Sequence, residues 1–198
     1  MTGNKHTAQI TDLLQTVFDK AVSLNTLMKI QELSTIQSFQ KGEIILYEGD
    51  RATAIFLILR GIVRGYYIDE QGNDITKCFS CEKEFFATEG FRTGGESTFT
   101  IECIRDCVCL KLSYSIIREL IQEDAAFSQQ VGLLFEREVG RLEARQKLFS
   151  LYDATDRYRF FCREYPALIK RVPLKHIASF LGVRPSTLSR LRKKEIVS

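Results

Sequence analysis

The last quarter of the chain contains a basic segment whose residue types suit contact with phosphate. The stretch HIASFLGVRPSTLSRLRKK, His176 to Lys194, holds five Arg or Lys residues and no acidic residue. Arg and Lys donate hydrogen bonds to phosphate oxygens, and Arg can also donate two parallel bonds to a guanine edge in the major groove of DNA. A solvated, charged helix is the simpler alternative, so the spacing of the apolar residues decides between the two.

That spacing predicts two short helices that cross over a tight turn. Such a pair needs a small residue at the contact, a glycine in the turn and apolar residues on both inner faces. Ala178 supplies the small residue and Gly182 the turn, while Pro173 and Pro185 stand in the first turns of the two helices, where a missing N–H costs little. The inner face would comprise Ile177, Leu181, Val183, Leu188 and Leu191. We therefore predict a helix-turn-helix.

The remaining residues of the second helix face outward and could enter a major groove. They comprise short hydroxyl side chains near the start of the helix and cations later, where Arg190 is long enough to reach a base edge. Charge along the chain agrees with this division. Residues 1–140 hold 14 Lys and Arg against 20 Asp and Glu, a net of −6, whereas residues 141–198 hold 14 against 5, a net of +9. This asymmetry is expected when one end of a protein meets a polyanion.

The elements that must position this segment change character along the chain. A short amphipathic helix and a second helix are followed, between Phe39 and Leu112, by apolar runs of strand length separated by turn residues. DEQGND, residues 69–74, is a hairpin signal, and Gly42, Gly49 and Gly61 mark sharp turns. These features predict a β-sandwich or jelly-roll in an α+β protein.

Residues 124–149 can form one long helix. Its apolar stripe comprises Phe127, Val131, Phe135, Val139 and Leu142. The stripe could cover the β-domain of its own chain, or it could pair with the same stripe of a second chain. Gly132 and Gly140 each cost the helix about 1 kcal/mol relative to Ala, and they would let two backbones approach closely. We therefore predict a homodimer.

Other function classes receive little support from the sequence. No apolar run approaches the roughly 20 residues that span a bilayer, and the first ten residues lack the plan of a secretory signal, so we expect a cytoplasmic protein whose six cysteines are reduced. The presence of only two histidines disfavours a cupin-like metalloenzyme. The sequence also shows no pairing of a catalytic nucleophile with a general base. We expect no catalytic residue, no metal and no cofactor.

Several segments together resemble the Crp/Fnr family of bacterial transcription regulators. They are KGEIILYEGD, IFLILRGIVRGYYIDEQGNDIT, STFTIECI, DRYRFFCREYPALIKRVPLKHIASFLGV and PSTLSRLRKK, and the match is closest to the short regulators of Bacteroidetes-like bacteria. The resemblance implies a cyclic-nucleotide-binding-like sensor domain over residues 1–123, a dimerisation helix over 124–148 and a helix-turn-helix DNA-binding domain over 149–198. It also implies an inverted-repeat operator in double-stranded DNA and RNA polymerase as a further partner.

By position in this family, contacts to the bases fall to Ser186 and Arg190. Many relatives carry a glutamate where this chain has Ser186, so the sequence does not fix the base preferred at that step. Arg184 replaces a Ser or Thr helix cap and would contribute charge beside a phosphate. The expected other DNA contacts are Arg184, Thr187, Ser189, Lys193 and Lys194.

The sensor pocket implied by the resemblance departs from the nucleotide-binding pattern. Relatives hold the ribose hydroxyl with a Gly–Glu pair and neutralise the cyclic phosphate with an arginine followed by Ser or Thr. This chain has Ala87–Thr88 and Ser97–Thr98 at those places. The pocket residues are Ala87, Thr88, Glu89, Arg92, Ser97 and Thr98. Because an unpaired buried phosphate is costly, we expect a degenerate pocket that does not bind cyclic AMP.

Gating by another route stays open at this point. A cyclic nucleotide bound through a rearranged loop, another small-molecule effector and a thiol switch at Cys103, Cys107 and Cys109 are the alternatives. The absence of cysteines from the first 77 residues disfavours an iron–sulfur cluster, and the scarcity of histidines disfavours a haem. The sequence does not distinguish an activator from a repressor.

Overall fold

Residues 35 to 113 form eight β-strands in the computed structural model, which describes residues 3–18, 22–88, 90 and 93–196, with side chains from 10 to 193 within those ranges. The strands are β1 Thr35–Phe39, β2 Ile44–Leu46, β3 Ala54–Arg60, β4 Ile62–Ile68, β5 Asp74–Cys81, β6 Phe85–Phe86, β7 Thr100–Cys103 and β8 Cys107–Ser113. They form two four-stranded sheets, ordered β1-β8-β3-β6 and β2-β7-β4-β5. The predicted jelly-roll and the α+β class are confirmed.

Tight turns allow these short strands to follow one another. Gly61 joins β3 to β4 with φ +114°, and a Cβ atom there would lie 2.6 Å from the carbonyl oxygen of Asp106. Only glycine fits this position, because both the backbone angle and the close approach exclude a side chain. At the predicted hairpin between β4 and β5, the Asp69 carboxylate accepts hydrogen bonds from the backbone N–H groups of Gln71 and Asn73, at 3.0 and 2.8 Å. The hairpin prediction is confirmed.

Within the described residues, two helices precede the strands along the chain, and five follow them. They are α1 Gly3–Val17, α2 Leu24–Leu33, α3 Tyr114–Glu123, α4 Ala125–Leu151, α5 Ala154–Glu164, α6 Leu174–Phe180 and α7 Pro185–Ile196. The predicted long helix therefore exists, with bounds within two residues of those expected. None of the described helices is long and apolar enough to cross a membrane.

Alternating side chains of β3 and β8 separate two hydrophobic cores. Leu57 and Leu110 face the first helices and lie in a core that includes Leu14, Leu27 and Phe127. Neighbouring residues face the other sheet and form the interior of the β-roll. Because both faces of these strands pack on apolar residues, the strands read in the sequence as continuous apolar runs.

Helix α4 begins at Ala125 because Asp124 caps it. The Asp124 carboxylate accepts hydrogen bonds from the backbone N–H groups of Ala126 and Phe127, at 2.9 and 3.0 Å. Its other oxygen accepts a bond of 2.6 Å from the Thr26 hydroxyl of α2. The bond from Thr26, followed by those from the backbone, lowers the pKa of Asp124 to about 2. A single carboxylate thus joins two helices of the N-terminal core.

The chain divides into two compact units. The first comprises Met1–Gly65 and Phe79–Arg137, and the second comprises Tyr66–Cys78 and Glu138–Ser198. The second unit thus contains the β4–β5 hairpin, the C-terminal half of α4 and the three last helices. The functional division at residues 123 and 148 remains a prediction.

Candidate nucleic-acid interface and sensor pocket

Helices α6 and α7 form the two-helix arrangement predicted from the basic segment. Gly182 joins them with φ +64°, and the N–H of Val183 donates to the carbonyl of Ala178 over 3.0 Å. Ala178 is fully buried at the contact, as expected for the small residue. Buried apolar residues on both helices include Ile177, Leu181 and Leu188. The predicted turn is confirmed, and so are three of the five predicted inner residues, whereas Val183 and Leu191 are half-buried.

The outward side of α7 carries the residues singled out for DNA contact. Arg184, Ser186, Arg190 and Lys193 are exposed, while Thr187 and Ser189 are half-buried. Lys194 lies within α7, but its side chain is outside the described residues. The backbone carbonyl of Arg184 accepts the N–H of Leu188 over 3.1 Å, so Arg184 occupies the cap position of α7. Arg184 therefore stands at the N-terminus of α7, the end of a helix that attracts anions.

The end of α4 supports the turn through a contact that the sequence analysis missed. A Cβ atom on Gly182 would lie 2.8 Å from Cε1 of Phe149. The guanidinium of Arg157, on α5, covers the Phe149 ring at 4.9 Å from its centroid. The glycine is therefore needed for space as well as for its backbone angle. An aromatic residue far away in sequence gives no local signal of this role.

The predicted pocket residues have different environments in this chain. The Ser97 hydroxyl donates to the carbonyl oxygen of Phe99 over 2.5 Å. Thr88 is buried, and its hydroxyl makes no hydrogen bond within the described part of the chain. Ala87 packs on the helix-facing core, and Thr98 is exposed. The predicted pocket residues Glu89 and Arg92 lie outside the described residues.

The interior of the β-roll is filled by side chains. The rings of Phe56 and Phe86 stack with centroids 5.0 Å apart, and Phe39 contacts Phe56 edge-on at 6.4 Å. Phe99, Ile101 and three buried cysteines belong to the same core. A buried phosphate loses its hydrogen bonds to water. Aromatic and aliphatic side chains cannot supply new ones, so such an interior disfavours phosphate binding.

Comparison with known proteins agrees with this architecture. Residues 36–124 match the family model of the cyclic nucleotide-binding domain. Electron transport regulator A of Shewanella oneidensis is 26% identical over 163 residues, which are 77% of this chain and 65% of that protein. The fumarate and nitrate reduction regulatory protein of Vibrio cholerae is 24% identical over 177 residues, covering 80% of this chain and 69% of the relative. The chain therefore contains a cyclic nucleotide-binding domain and is similar, along most of its length, to regulators of the Crp/Fnr type.

A solved structure has the same fold as this chain. FixK2 from Bradyrhizobium japonicum superposes with a TM-score of 0.74 at 20% identity, over 81% of this chain and 83% of that one. At this identity the likeness concerns the fold alone. The two curated relatives are regulators by name, not enzymes, and the match spans about 65% of the length of the Shewanella protein.

The cysteines of this chain are free thiols with different environments. Burial raises the pKa of Cys109 to about 12. A hydrogen bond with Cys107, followed by burial, raises the pKa of Cys103. The same hydrogen bond from Cys103 lowers the pKa of Cys107. All three side chains are at most 1% exposed, which restricts access to oxidants. No group of three potential metal ligands occurs among the described residues.

The apolar stripe of α4 is not one continuous surface, which corrects the prediction that all five residues contact a partner. Phe127 is buried in the core of its own chain, where its ring lies 5.2 Å from that of Phe18. Val131 is partly buried against the same core. Phe135, Val139 and Leu142 are 48%, 54% and 47% exposed, respectively. Only these three remain available to a second chain.

Proposed function

We propose that this protein is a homodimeric transcription regulator that binds specific DNA sequences through α7. The observation that carries the proposal is the division of α7 into two sides. Leu188 is fully buried, whereas Ser186, Arg190 and Lys193, spaced by four and three residues, are all exposed. A helix held by its apolar side and exposing hydroxyls and cations on the other suits the major groove.

The positive charge of the C-terminal segment supports contact with a polyanion such as DNA. Residues 141–198 carry a net charge of +9, and α7 alone contains four Arg and Lys residues. Within this face, we assign Arg190 to a guanine edge and Lys193 to a phosphate, because Arg can donate two parallel bonds to a base whereas Lys acts as a point charge. Both curated relatives are regulators by name, which supports the same role, with RNA polymerase as a further proposed partner.

A two-fold dimer through α4 would cover its exposed apolar residues. Phe135, Val139 and Leu142 follow one another at helical spacing on one face of α4. Two copies of this face would bury six large apolar side chains and bring two α7 helices to one DNA molecule. Dimeric binding is the arrangement that inverted-repeat operators require.

We propose further that the β-roll no longer binds a cyclic nucleotide. The aromatic interior and the engaged Ser97 hydroxyl support this, since neither offers a donor to a phosphate. One observation favours a second candidate, a regulator gated by another small molecule. The buried Thr88 hydroxyl lacks a hydrogen bond within the described residues, and a bound ligand could supply one.

Charge reversal tests DNA binding with a matched control. Arg190→Glu with Lys193→Glu should abolish binding to duplex DNA, measured by fluorescence anisotropy at several salt concentrations. Arg159→Glu with Arg163→Glu makes the same change in net charge on exposed residues of α5 and should retain most of the affinity. Equal loss in both variants would mean that net charge, and not α7, determines binding.

Titration calorimetry with cyclic AMP and cyclic GMP tests the pocket. We expect no heat of binding at millimolar nucleotide with the full-length dimer. A stoichiometric binding isotherm for either nucleotide would contradict the proposal and establish the nucleotide-gated alternative.

A further inference from the structure

One serine of α6 contacts the backbone of strand β5 at two points. The Ser179 hydroxyl donates to the carbonyl oxygen of Asp74 over 2.9 Å and accepts from the N–H of Thr76 over 2.8 Å. Residues i and i+2 of a strand present their backbone groups to the same side, so a single hydroxyl can engage both. Ser179 thus takes the place of a neighbouring strand at this edge.

Arg145 of α4 adds a second connection between the same elements. Its guanidinium donates one hydrogen bond to the carbonyl of Thr76, over 3.1 Å, and another to the carbonyl of Phe180, over 3.2 Å. It also lies 4.3 Å from the centroid of the Phe180 ring. Burial lowers the pKa of Arg145, which remains charged at neutral pH because arginine titrates far above it.

All of these residues belong to the second compact unit, together with the helix-turn-helix. Strand β5 is the outer strand of the sheet β2-β7-β4-β5, and Thr76 is fully buried beneath α6. Backbone groups at a sheet edge require hydrogen-bond partners. Removing the Ser179 hydroxyl would therefore cost the Asp74 carbonyl and the Thr76 N–H one hydrogen bond each. We call Asp74, Thr76, Arg145, Ser179 and Phe180 the edge clamp.

The edge clamp leaves the DNA-facing side of α7 accessible. Ser186, Arg190 and Lys193 are exposed while the clamp is closed. A contact that blocked DNA would have to cover these residues. The clamp therefore fixes the helix-turn-helix in a state in which α7 is available for binding.

We propose that Ser179 and Arg145 are positioning residues, which hold α6 on the edge of β5 and thereby set the direction in which α7 meets DNA. The inference rests on the proposed function and adds to it a source of operator geometry. In a dimer, two fixed α7 helices fit only one separation of half-sites. A released helix-turn-helix would tolerate several separations but would lose affinity for the correct one, because binding must then restrict its motion.

The test compares Ser179→Ala with the wild type on operators selected by the wild-type protein. The variant should bind the full inverted repeat about five- to tenfold more weakly, the size of one or two net hydrogen bonds. It should lose discrimination against operators with one or two base pairs inserted between the half-sites. On an isolated half-site it should equal the wild type, since the contacts of α7 are unchanged.

Three further variants separate positioning from a general loss of structure. Ser179→Thr keeps the hydroxyl and should restore affinity and spacing preference. Arg145→Lys keeps the charge but loses the planar fork whose two nitrogens each reach one carbonyl, so it should resemble Ser179→Ala. The control is Ser150→Ala, because the Ser150 hydroxyl donates to the carbonyl of Gln146 in its own helix, over 2.9 Å, and its loss should change nothing.

Hydrogen exchange at the Thr76 amide tests the clamp without DNA. Exchange at this amide should accelerate in Ser179→Ala and remain unchanged in Ser150→Ala. If exchange does not accelerate, or if spacing preference survives in Ser179→Ala, the positioning inference is wrong. If the wild type selects no DNA sequence, the proposed function fails instead, and the exchange result still decides whether the clamp exists.

Discussion

Arg190 and Lys193 lie less than one turn apart on α7, yet we expect them to contribute differently to binding. Arg190→Ala should cost roughly 1 to 3 kcal/mol and relax the sequence preference at one position of each half-site, because a base contact carries sequence information. Lys193→Ala should weaken specific and non-specific binding alike and reduce the salt slope by about one per contact.

Binding titrations on selected and scrambled operators at several salt concentrations distinguish the two roles. Each variant serves as the control of the other, because both remove one exposed cation from the same helix. An Arg190→Ala protein with unchanged base preference would contradict the assignment of Arg190 to a base edge.

Asp124 allows a prediction about stability that is independent of DNA. Asp124→Ala should lower the free energy of unfolding by about 0.5 to 2 kcal/mol, the usual range for a lost helix cap. Asp124→Asn retains one oxygen for the N–H groups at the start of α4 and should lose less. Urea denaturation followed by circular dichroism measures both.

The lowered pKa of Asp124 makes part of this stabilisation depend on pH. A carboxylate whose pKa in the folded state is about 2, below the ordinary 3.8, stabilises the fold above pH 4. This contribution disappears as the pH falls towards 2. The difference in unfolding free energy between wild type and Asp124→Asn should therefore shrink between pH 4 and 2, and a constant difference would refute this role.

Single residues were predictable where their role follows from local pattern. Gly182 and Ala178 were found because a helix pair requires small residues at fixed spacing. Ser179 was not, since its partners Asp74 and Thr76 are about 100 positions away and a half-exposed serine in a helix suits many environments. Tertiary hydrogen bonds of this kind have no periodicity in the sequence.

At the scale of elements, the exposed face of α4 is the strongest indication of an assembly. Phe135→Glu with Val139→Glu should convert the dimer to monomers, because it would place like charges across the two-fold interface. Sedimentation velocity at micromolar protein measures the change. Both side chains are about half exposed in the single chain, so the fold of each chain should survive.

The matched control adds charge to the same helix on another face. Gln129→Glu with Lys147→Gln makes the same change in net charge at exposed positions about 120° from Phe135 around the helix axis and should leave the dimer intact. A wild-type protein that sediments as a monomer without DNA would contradict the role proposed for α4.

The sequence predicted which elements form better than it predicted what each face contacts. The strands were recognisable as apolar runs because β3 and β8 carry apolar side chains on both faces, with one face towards each core. The stripe of α4 was correctly placed on one face, but a period of 3.6 residues does not reveal its partner. Phe127 and Phe135 have the same pattern, although one packs on Phe18 and the other is exposed.

At the scale of the whole molecule, charge and chain order were more informative than composition. The change from net −6 to net +9 near residue 140 lies close to the boundary of the compact units at Arg137. The inclusion of Tyr66–Cys78 in the second unit could not be predicted, because it depends on contacts between a hairpin and helices distant in sequence. Such a grouping requires the folded structure.

Selection of binding sites from a random DNA library tests the central claim most directly. The purified wild-type protein should enrich an inverted repeat whose half-sites are centred about one helical turn, or about 34 Å, apart. Two chains should bind each selected duplex, as measured by the mass of the complex. Enrichment of a single asymmetric site, or of no sequence above the starting library, would contradict a dimeric regulator that binds specific DNA through α7.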